Sequence, residues 1–347
     1  MENNITSKTD ILSLLPEELE NELSELGEKR FRSDQVFQWL HVKRAVSFDE
    51  MTNLPLSLRT KLDEKYYINC LKIVRTLESS IDNTVKYLYE LSDMNHVETV
   101  LMDYHHGNSL CISTQVGCKM GCRFCASAIA GFRRDLLPSE MLGQIYGAEK
   151  ASGRKVESLV LMGIGEPLDN FDNVIKFLRL LSSPKGKNLS LRHVSLSTCG
   201  LADRIDRLRE YKLGLTLSVS LHSADNARRS EIMPVNGRFD IDRLMRSCRE
   251  YMAVTGRRIS FEYAVIKGVN DSRADAVKLI GLLRGMNCHV NLIPVNEVKE
   301  RDFRADRDSV GNFRSMLEKG GLNVTVRRTL GADINAACGQ LRREYEI

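Results

Sequence analysis

LCISTQVGCKMGCRFC, residues 110–125, sets a short run of β-forming residues directly before Cys118, Cys122 and Cys125, with Gly117 and Gly121 among them. The run reads as a strand. The glycines let the segment behind it curl, so that three thiolates face one centre. The same rhythm continues in SLVLMGIG (158–165), HVSLSTCG (193–200), LTLSVSLH (215–222), ISFEYAVI (259–266), VNLIPVN (290–296) and LNVTVRR (322–328). Between these runs lie helix-length segments such as PSEMLGQIYGAEKAS (138–152) and DIDRLMRSCREYMAV (240–254). Strand alternating with helix implies an α/β fold with a parallel sheet. The pattern fits an open doubly wound sheet or a full or partial barrel, and both put chemistry at the carboxyl ends of the strands.

Upstream, the chain differs in kind. ILSLLPEELENELSELG, FRSDQVFQWLHVKRAV and LSLRTKLDEKY carry apolar residues at helical spacing, which predicts a helical module over residues 1–67. LKIVRTLES, TVKYLYELS and HVETVLMDYH predict antiparallel connecting strands over 68–105, and the βα body then occupies 106–347. The whole chain has 347 residues, 42% hydrophobic and 28% charged, with a net charge of +4, which excludes disordered and fibrous classes. No apolar run approaches the roughly 20 residues of a membrane span, and MENNITSKTD lacks the features of a signal peptide, so a cytoplasmic protein without membrane partners is expected.

Nine cysteines in such a protein suggest metal or redox chemistry more than a disulfide frame. A structural zinc normally takes four protein ligands, whereas the triplet offers three and no second CxxC pair follows. A 4Fe-4S cluster held by the triplet would keep one iron open. Cys111 lies seven residues before Cys118, too far along an extended strand to be an expected fourth ligand. Cys70, Cys199, Cys248 and Cys288 read as small buried hydrophobes. MGIGEP brings Gly165 and Glu166 to the next strand end, where glycines admit a ligand and a carboxylate suits an ammonium group. Ser197, the Ser220–Leu221–His222 turn and Asn296 fall at later strand ends. Arg133, Arg134, Arg327, Arg328, Arg342 and Arg343 are candidate phosphate contacts, while Trp39 has the spacing of a core residue.

CxxxCxxC before repeated βα units resembles the radical S-adenosylmethionine (SAM) superfamily. VETV, MGIGEPLDN, STCG, SLHSADNARRSEIMPVN, GVND, NLIPVN and DINAACGQL, in that order over residues 97–341, closely resemble the RlmN and Cfr group of radical-SAM RNA methyltransferases. FRSDQVFQWLH is similar to that group's N-terminal accessory domain.

The resemblance implies a partial (β/α)6 barrel with a helical accessory domain. It also implies a cluster on Cys118, Cys122 and Cys125, and two SAM molecules per turnover seated by Gly165, Glu166, Ser197, Ser220, Leu221, His222 and Asn296. It assigns Cys338 as the methyl carrier, Cys111 as its disulfide partner and Glu98 as proton acceptor. The implied substrates are 23S rRNA and tRNA, methylated at adenine C2, with Pro167 favouring C2 over the C8 chemistry of Cfr. A flavodoxin or ferredoxin would donate electrons to a monomeric enzyme. The competing reading is a zinc-stabilised, noncatalytic RNA-binding protein.

Overall fold

The computed structural model describes residues 8–105, 107–129, 131–295 and 303–336. The chain begins with β1 (Thr9–Asp10), α1 (Pro16–Glu25), α2 (Phe31–Gln38), α3 (Leu56–Lys65) and β2 (Tyr66–Tyr67), with β1 and β2 paired in parallel. Pro16 opens α1, where a missing N–H costs nothing, and Glu18 turns back to accept the Leu15 N–H at 2.8 Å. α2 runs into a wider turn over Trp39–Lys43, which Arg44 ends in a left-handed conformation (φ 59°).

Three antiparallel strands follow: β3 (Lys72–Glu78), β4 (Val85–Glu90) and β5 (His96–Tyr104). The remainder is β6 (Gly107–Cys111), β7 (Gln115–Gly117), β8 (Phe132–Asp135), α4 (Pro138–Ser152), β9 (Ser158–Leu161), α5 (Phe171–Ser182), β10 (Val194–Thr198) and α6 (Ala202–Glu210). It continues through β11 (Thr216–Ser220), α7 (Asn226–Ile232), α8 (Ile241–Thr255), β12 (Ile259–Val265), α9 (Arg273–Leu283), β13 (Cys288–Pro294), α10 (Arg307–Lys319) and β14 (Val324–Val326).

One sheet carries ten of these strands in the order β3-β4-β5-β6-β9-β10-β11-β12-β13-β14, and β6 with β9 to β14 are parallel. Each new parallel strand joins the same edge. A doubly wound sheet requires the order to reverse, so the strand order is that of a barrel. The barrel stays open, because β6 pairs on its other side with β5 and not with β14.

Side chains alternate accordingly: Leu196, Leu217, Val219 and Phe261 pack into the core, while Ser197, Ser220 and Glu262 face a cavity inside the barrel. α5 buries Val174, Ile175, Phe177, Leu178 and Leu181 on one face. Removal of each large side chain from water contributes roughly 1.5–3 kcal/mol.

The helical module shares this core, which runs continuously from Ile11 to Val324. Polar pins reinforce the join: Ser139 N donates to Ser13 Oγ (3.0 Å), His41 Nδ1 meets Tyr146 Oη (3.1 Å), and Glu149 pairs with both Arg44 and Lys187.

Two local readings change. The LCISTQV run breaks after Cys111, and its second part, β7, forms a hairpin with β8, so the cysteine triplet lies in the hairpin connection. α7 was not expected from its charged sequence NARRSEI; Asp225 starts it by accepting the Arg228 N–H at 3.0 Å.

Candidate functional site

A cavity of about 560 Å³ opens at the carboxyl ends of the parallel strands and is lined by Cys118, Cys122 and Cys125 together. Their loop is closed at its base by Cys118 N donating to Gly131 O (3.1 Å) and braced against α7 by Arg123 N donating to Ile232 O (2.9 Å). Burial pushes the Cys118 thiol up to about 12, against a Met120 N–H that favours its thiolate. Burial, then Cys125 and Cys118, push Cys122 up as well. Buried thiols such as Cys118 and Cys122 ionise only beside positive charge.

Arg229 supplies part of that charge. It is wholly buried and donates to Leu221 O (3.1 Å), Cys199 O (2.8 Å), Ser220 O (3.3 Å) and Asn236 Oδ1 (2.8 Å). Among the described residues no carboxylate pairs with it. A buried cation without a carboxylate partner among the described residues, near Cys122, suits a group that binds as an anionic thiolate complex, and three ligands fit a 4Fe-4S cluster with one open iron. Among the described residues no three His, Cys, Asp or Glu side chains are gathered tightly enough for a single metal ion.

The turn after β9 packs tightly against the segment between β6 and β7. A Cβ on Gly163 would stand 2.4 Å from Ile112 O. Gly165 has φ +108° and would meet Gln115 Cβ at 2.6 Å. Glu166 is buried, and its carboxylate accepts the N–H groups of Cys199 (2.6 Å) and Leu168 (3.1 Å). Burial raises its pKa, opposed by these hydrogen bonds. Cys199 is buried as expected but also lines the cavity, with its thiol engaged by Glu166.

His222 takes a left-handed conformation (φ 57°), accepts Ala264 N at Nδ1 (2.9 Å), and meets Phe124 edge to face at 4.7 Å. Burial, aided by Arg229, pulls its pKa down to about 3, so the ring is neutral with its proton on Nε2. Leu221 is different: its side chain is in the core, and its N–H donates to Glu262 O (3.0 Å). Ser197 and Ser220 line the cavity and both donate to Glu262. The sequence reading missed Glu262; an acid inside the apolar run ISFEYAVI was the available signal.

The opposite wall comes from the antiparallel strands. In register, Lys86 on β4 stands opposite Val100 on β5, which stands opposite Cys111 on β6. Lys86 pairs with Glu98 at 2.8 Å, with both side chains at most 1% exposed, and donates to Asn335 O at 3.1 Å. Cys111 lies in a small cluster with Val100 and Met102, against which Leu330 and Ala336 pack. Burial, opposed by Arg327, pushes its thiol up to about 11.

Asn296, Cys338, Arg342 and Arg343 lie outside the described residues. Arg134 is committed to Asp93 (2.6 Å) and Glu140 (2.7 Å) and so is poorly disposed toward phosphate. Trp39 is half-buried against the core, with Lys43 3.6 Å above its ring.

Residues 9–68 match the family model of the ribosomal RNA large subunit methyltransferase N-terminal domain, and residues 112–280 match that of the radical SAM superfamily. A probable dual-specificity RNA methyltransferase RlmN of Lachnospira eligens is 53% identical, over 97% of both chains. Its counterpart in Alkaliphilus oremlandii is 50% identical, over 97% of this chain and 98% of the other. The crystal structure of a radical SAM methyltransferase from Sphaerobacter thermophilus superposes with a TM-score of 0.90 at 40% identity, covering 96% of this chain and 98% of that one.

Proposed function

Because the chain belongs to the RlmN family of radical SAM RNA methyltransferases, we propose that it methylates C2 of adenosine in the peptidyl-transferase region of 23S rRNA and beside the anticodon of tRNA. Adenine C2 is electron-poor and has neither a leaving group nor an acidic proton, so polar displacement does not reach it. When bound, a 4Fe-4S cluster on Cys118, Cys122 and Cys125, and two SAM molecules per turnover, supply the electron, the methyl group and the 5′-deoxyadenosyl radical. Gly165, Glu166, Ser197, Ser220, His222 and Asn296 orient SAM, with Leu221 contributing through its backbone.

Cys338 carries the methyl group as a thioether and, after losing a hydrogen atom from it, joins to C2 through carbon. Glu98 takes the C2 proton, and the unpaired electron of the adduct would return to the cluster, which restores the aromatic ring. The Cys111 thiolate attacks the Cys338 sulfur, the carbon–sulfur bond breaks with its electron pair going to the one-carbon unit, that carbon takes up a proton to become the methyl group on C2, and a disulfide remains for a reductant to reopen. Residues 1–67 serve as the RNA-binding module, 68–105 as the connector and 106–347 as the catalytic domain. The enzyme acts as a cytoplasmic monomer with a flavodoxin or ferredoxin as donor; no helix among the described residues is long and apolar enough to cross a membrane.

One observation carries the reading of the three catalytic residues. Ala336 packs against the Cys111 cluster while Asn335 O accepts from Lys86, the partner of Glu98. Cys338 follows Ala336 by two residues, a reach of at most about 7 Å. The test is anaerobic reconstitution with iron, sulfide, SAM, reductant and an rRNA fragment, followed by nuclease digestion and mass spectrometry. The expected product is 2-methyladenosine; 8-methyladenosine alone would overturn the assignment.

A further inference from the structure

The segment that leads to Cys338 is tied to the far edge of the sheet. β14 ends at Val326, and Arg327–Leu330 then run along the cavity to Gly331. There the chain meets the turn between β3 and β4, at the other end of the ten-stranded order. Gly331 N donates to Asp82 Oδ2 (2.9 Å), and Asp333 accepts from Ser79 Oγ (2.7 Å), Ser80 N (2.7 Å) and Ser80 Oγ (2.9 Å). Lys86 Nζ donates to Asn335 O (3.1 Å) while it pairs with Glu98 (2.8 Å).

The segment is shaped to meet these partners. Gly331 and Asn335 are both left-handed (φ 58° and 45°), and Ala336 N closes the turn between them on Gly331 O at 3.0 Å. A Cβ on Gly331 would stand 3.0 Å from Thr84 Cγ2 of the hairpin and 2.7 Å from Ala336 Cβ, so only glycine allows the approach. Asp333 is exposed, and water would serve its carboxylate as well; the hairpin serves both of its oxygens instead, and these hydrogen bonds pull its pKa down to about 2. Burial does not demand this arrangement. The apolar contacts of Leu330 and Ala336 with the Cys111 cluster cover what the segment has to cover, but such contacts are non-directional. Hydrogen bonds to carboxylates fix both place and direction.

We propose that Asp82, Lys86 and Asp333 are positioning residues that latch the Cys338 segment to the β3–β4 hairpin and thereby hold Cys338 within reach of Cys111. Asn335 precedes Cys338 by three residues, a tether of at most about 11 Å. Anchored through β14 alone, the cysteine would meet its partners only at the lower effective concentration of a longer flexible tether. The proposal rests on the reading of Cys111 and Cys338 as a reacting pair.

Glutathione redox buffers, applied anaerobically to the full chain with its cluster reconstituted, test it. Oxidised glutathione takes two electrons and two protons from the Cys111 and Cys338 thiols, which yields their disulfide and two molecules of reduced glutathione. Peptide mass mapping at equilibrium then gives the effective concentration of one thiol beside the other. Asp333→Ala should lower it about three- to tenfold, the loss expected for about one net hydrogen bond. Asp333→Asn, with one acceptor oxygen left, should fall in between, and Asp82→Ala should act in the same direction as Asp333→Ala. Alkylation of Cys338 by iodoacetamide should not slow in any of them. A purely structural role would instead lower the urea midpoint and leave the thiol equilibrium of the folded protein unchanged. Should Asp333→Ala fail to fold, Asp333→Asn and Ser79→Ala/Ser80→Ala carry the same test. An effective concentration equal to the wild type's in the folded variants would overturn the latch. No Cys111–Cys338 disulfide in the wild type at any buffer ratio would instead remove the reacting pair, and the latch with it.

Discussion

The two sides of the barrel that flank the cavity hold their buried charges in opposite ways. On the parallel-strand side, Arg229 is a cation with no carboxylate partner among the described residues, Glu166 is held by backbone amides and a thiol, and His222 is neutral. On the antiparallel side, Lys86 and Glu98 neutralise each other directly. Uncompensated buried charge is stable only when something else completes it, so the first side is prepared for groups brought from outside. A buried ion pair gives each charge its opposite, and with the Lys86 bond to Asn335 O it holds the carboxylate beside the segment that leads to Cys338.

This contrast breaks most severely at the cluster loop. Cys122→Ala should abolish methylation and remove the brown iron-sulfur absorbance, read by spectrum and iron analysis, because two thiolates do not hold the cluster. Retained iron and turnover would show that the first side is not completed from outside.

The second side responds through stability. Lys86→Met takes from the buried Glu98 carboxylate its 2.8 Å ion-pair partner and should cost about 3–5 kcal/mol in denaturant unfolding. The double variant Lys86→Met/Glu98→Leu should recover most of that loss, since an apolar pair of similar volume often replaces a buried ion pair without penalty. Neither variant should methylate RNA. A double variant as unstable as the single one would contradict the dependence of Glu98 on Lys86.

A smaller effect lies in pH dependence. The Cys111 thiol is raised on folding to about 11. Its contribution to stability is therefore complete below the unfolded value near 8.5 and is lost as pH climbs toward 11, about 3 kcal/mol in all. Cluster-free Cys111→Ala should decline less steeply over that window than the parent; parallel curves would refute the shift.

The smallest effect is expected at Cys199. Its thiol serves Glu166, so Cys199→Ala should keep about four irons per chain and lose only about 1 kcal/mol. Loss of the cluster would mean that the iron assigned as open is protein-bound.

What was readable in the sequence divides along the same line. The triplet, the glycine turn and the serine-bearing strand ends are local patterns, and α4 spans the expected PSEMLGQIYGAEKAS segment residue for residue. The choice of barrel over doubly wound sheet depended on strand order, which no local window contains. Alternation in VSLST and TLSVS was a usable sign, because strands buried on both faces are more continuously apolar. The role of Lys86 was hidden for a similar reason: it meets Glu98 only through the register of β4 with β5, and Asn335 is 249 residues further along the chain. Arg229 likewise reads as one charge in a polar stretch until the strand ends surround it.

The most direct measurement is the fate of RNA in Cys111→Ala protein, reconstituted anaerobically with SAM and reductant and resolved on a denaturing gel. The expected result is RNA covalently joined to protein, with mass spectrometry placing the link at the one-carbon unit on Cys338, because the bond forms and cannot be resolved. Lost methylation with no such adduct, or normal release of methylated RNA, would contradict the catalytic assignment.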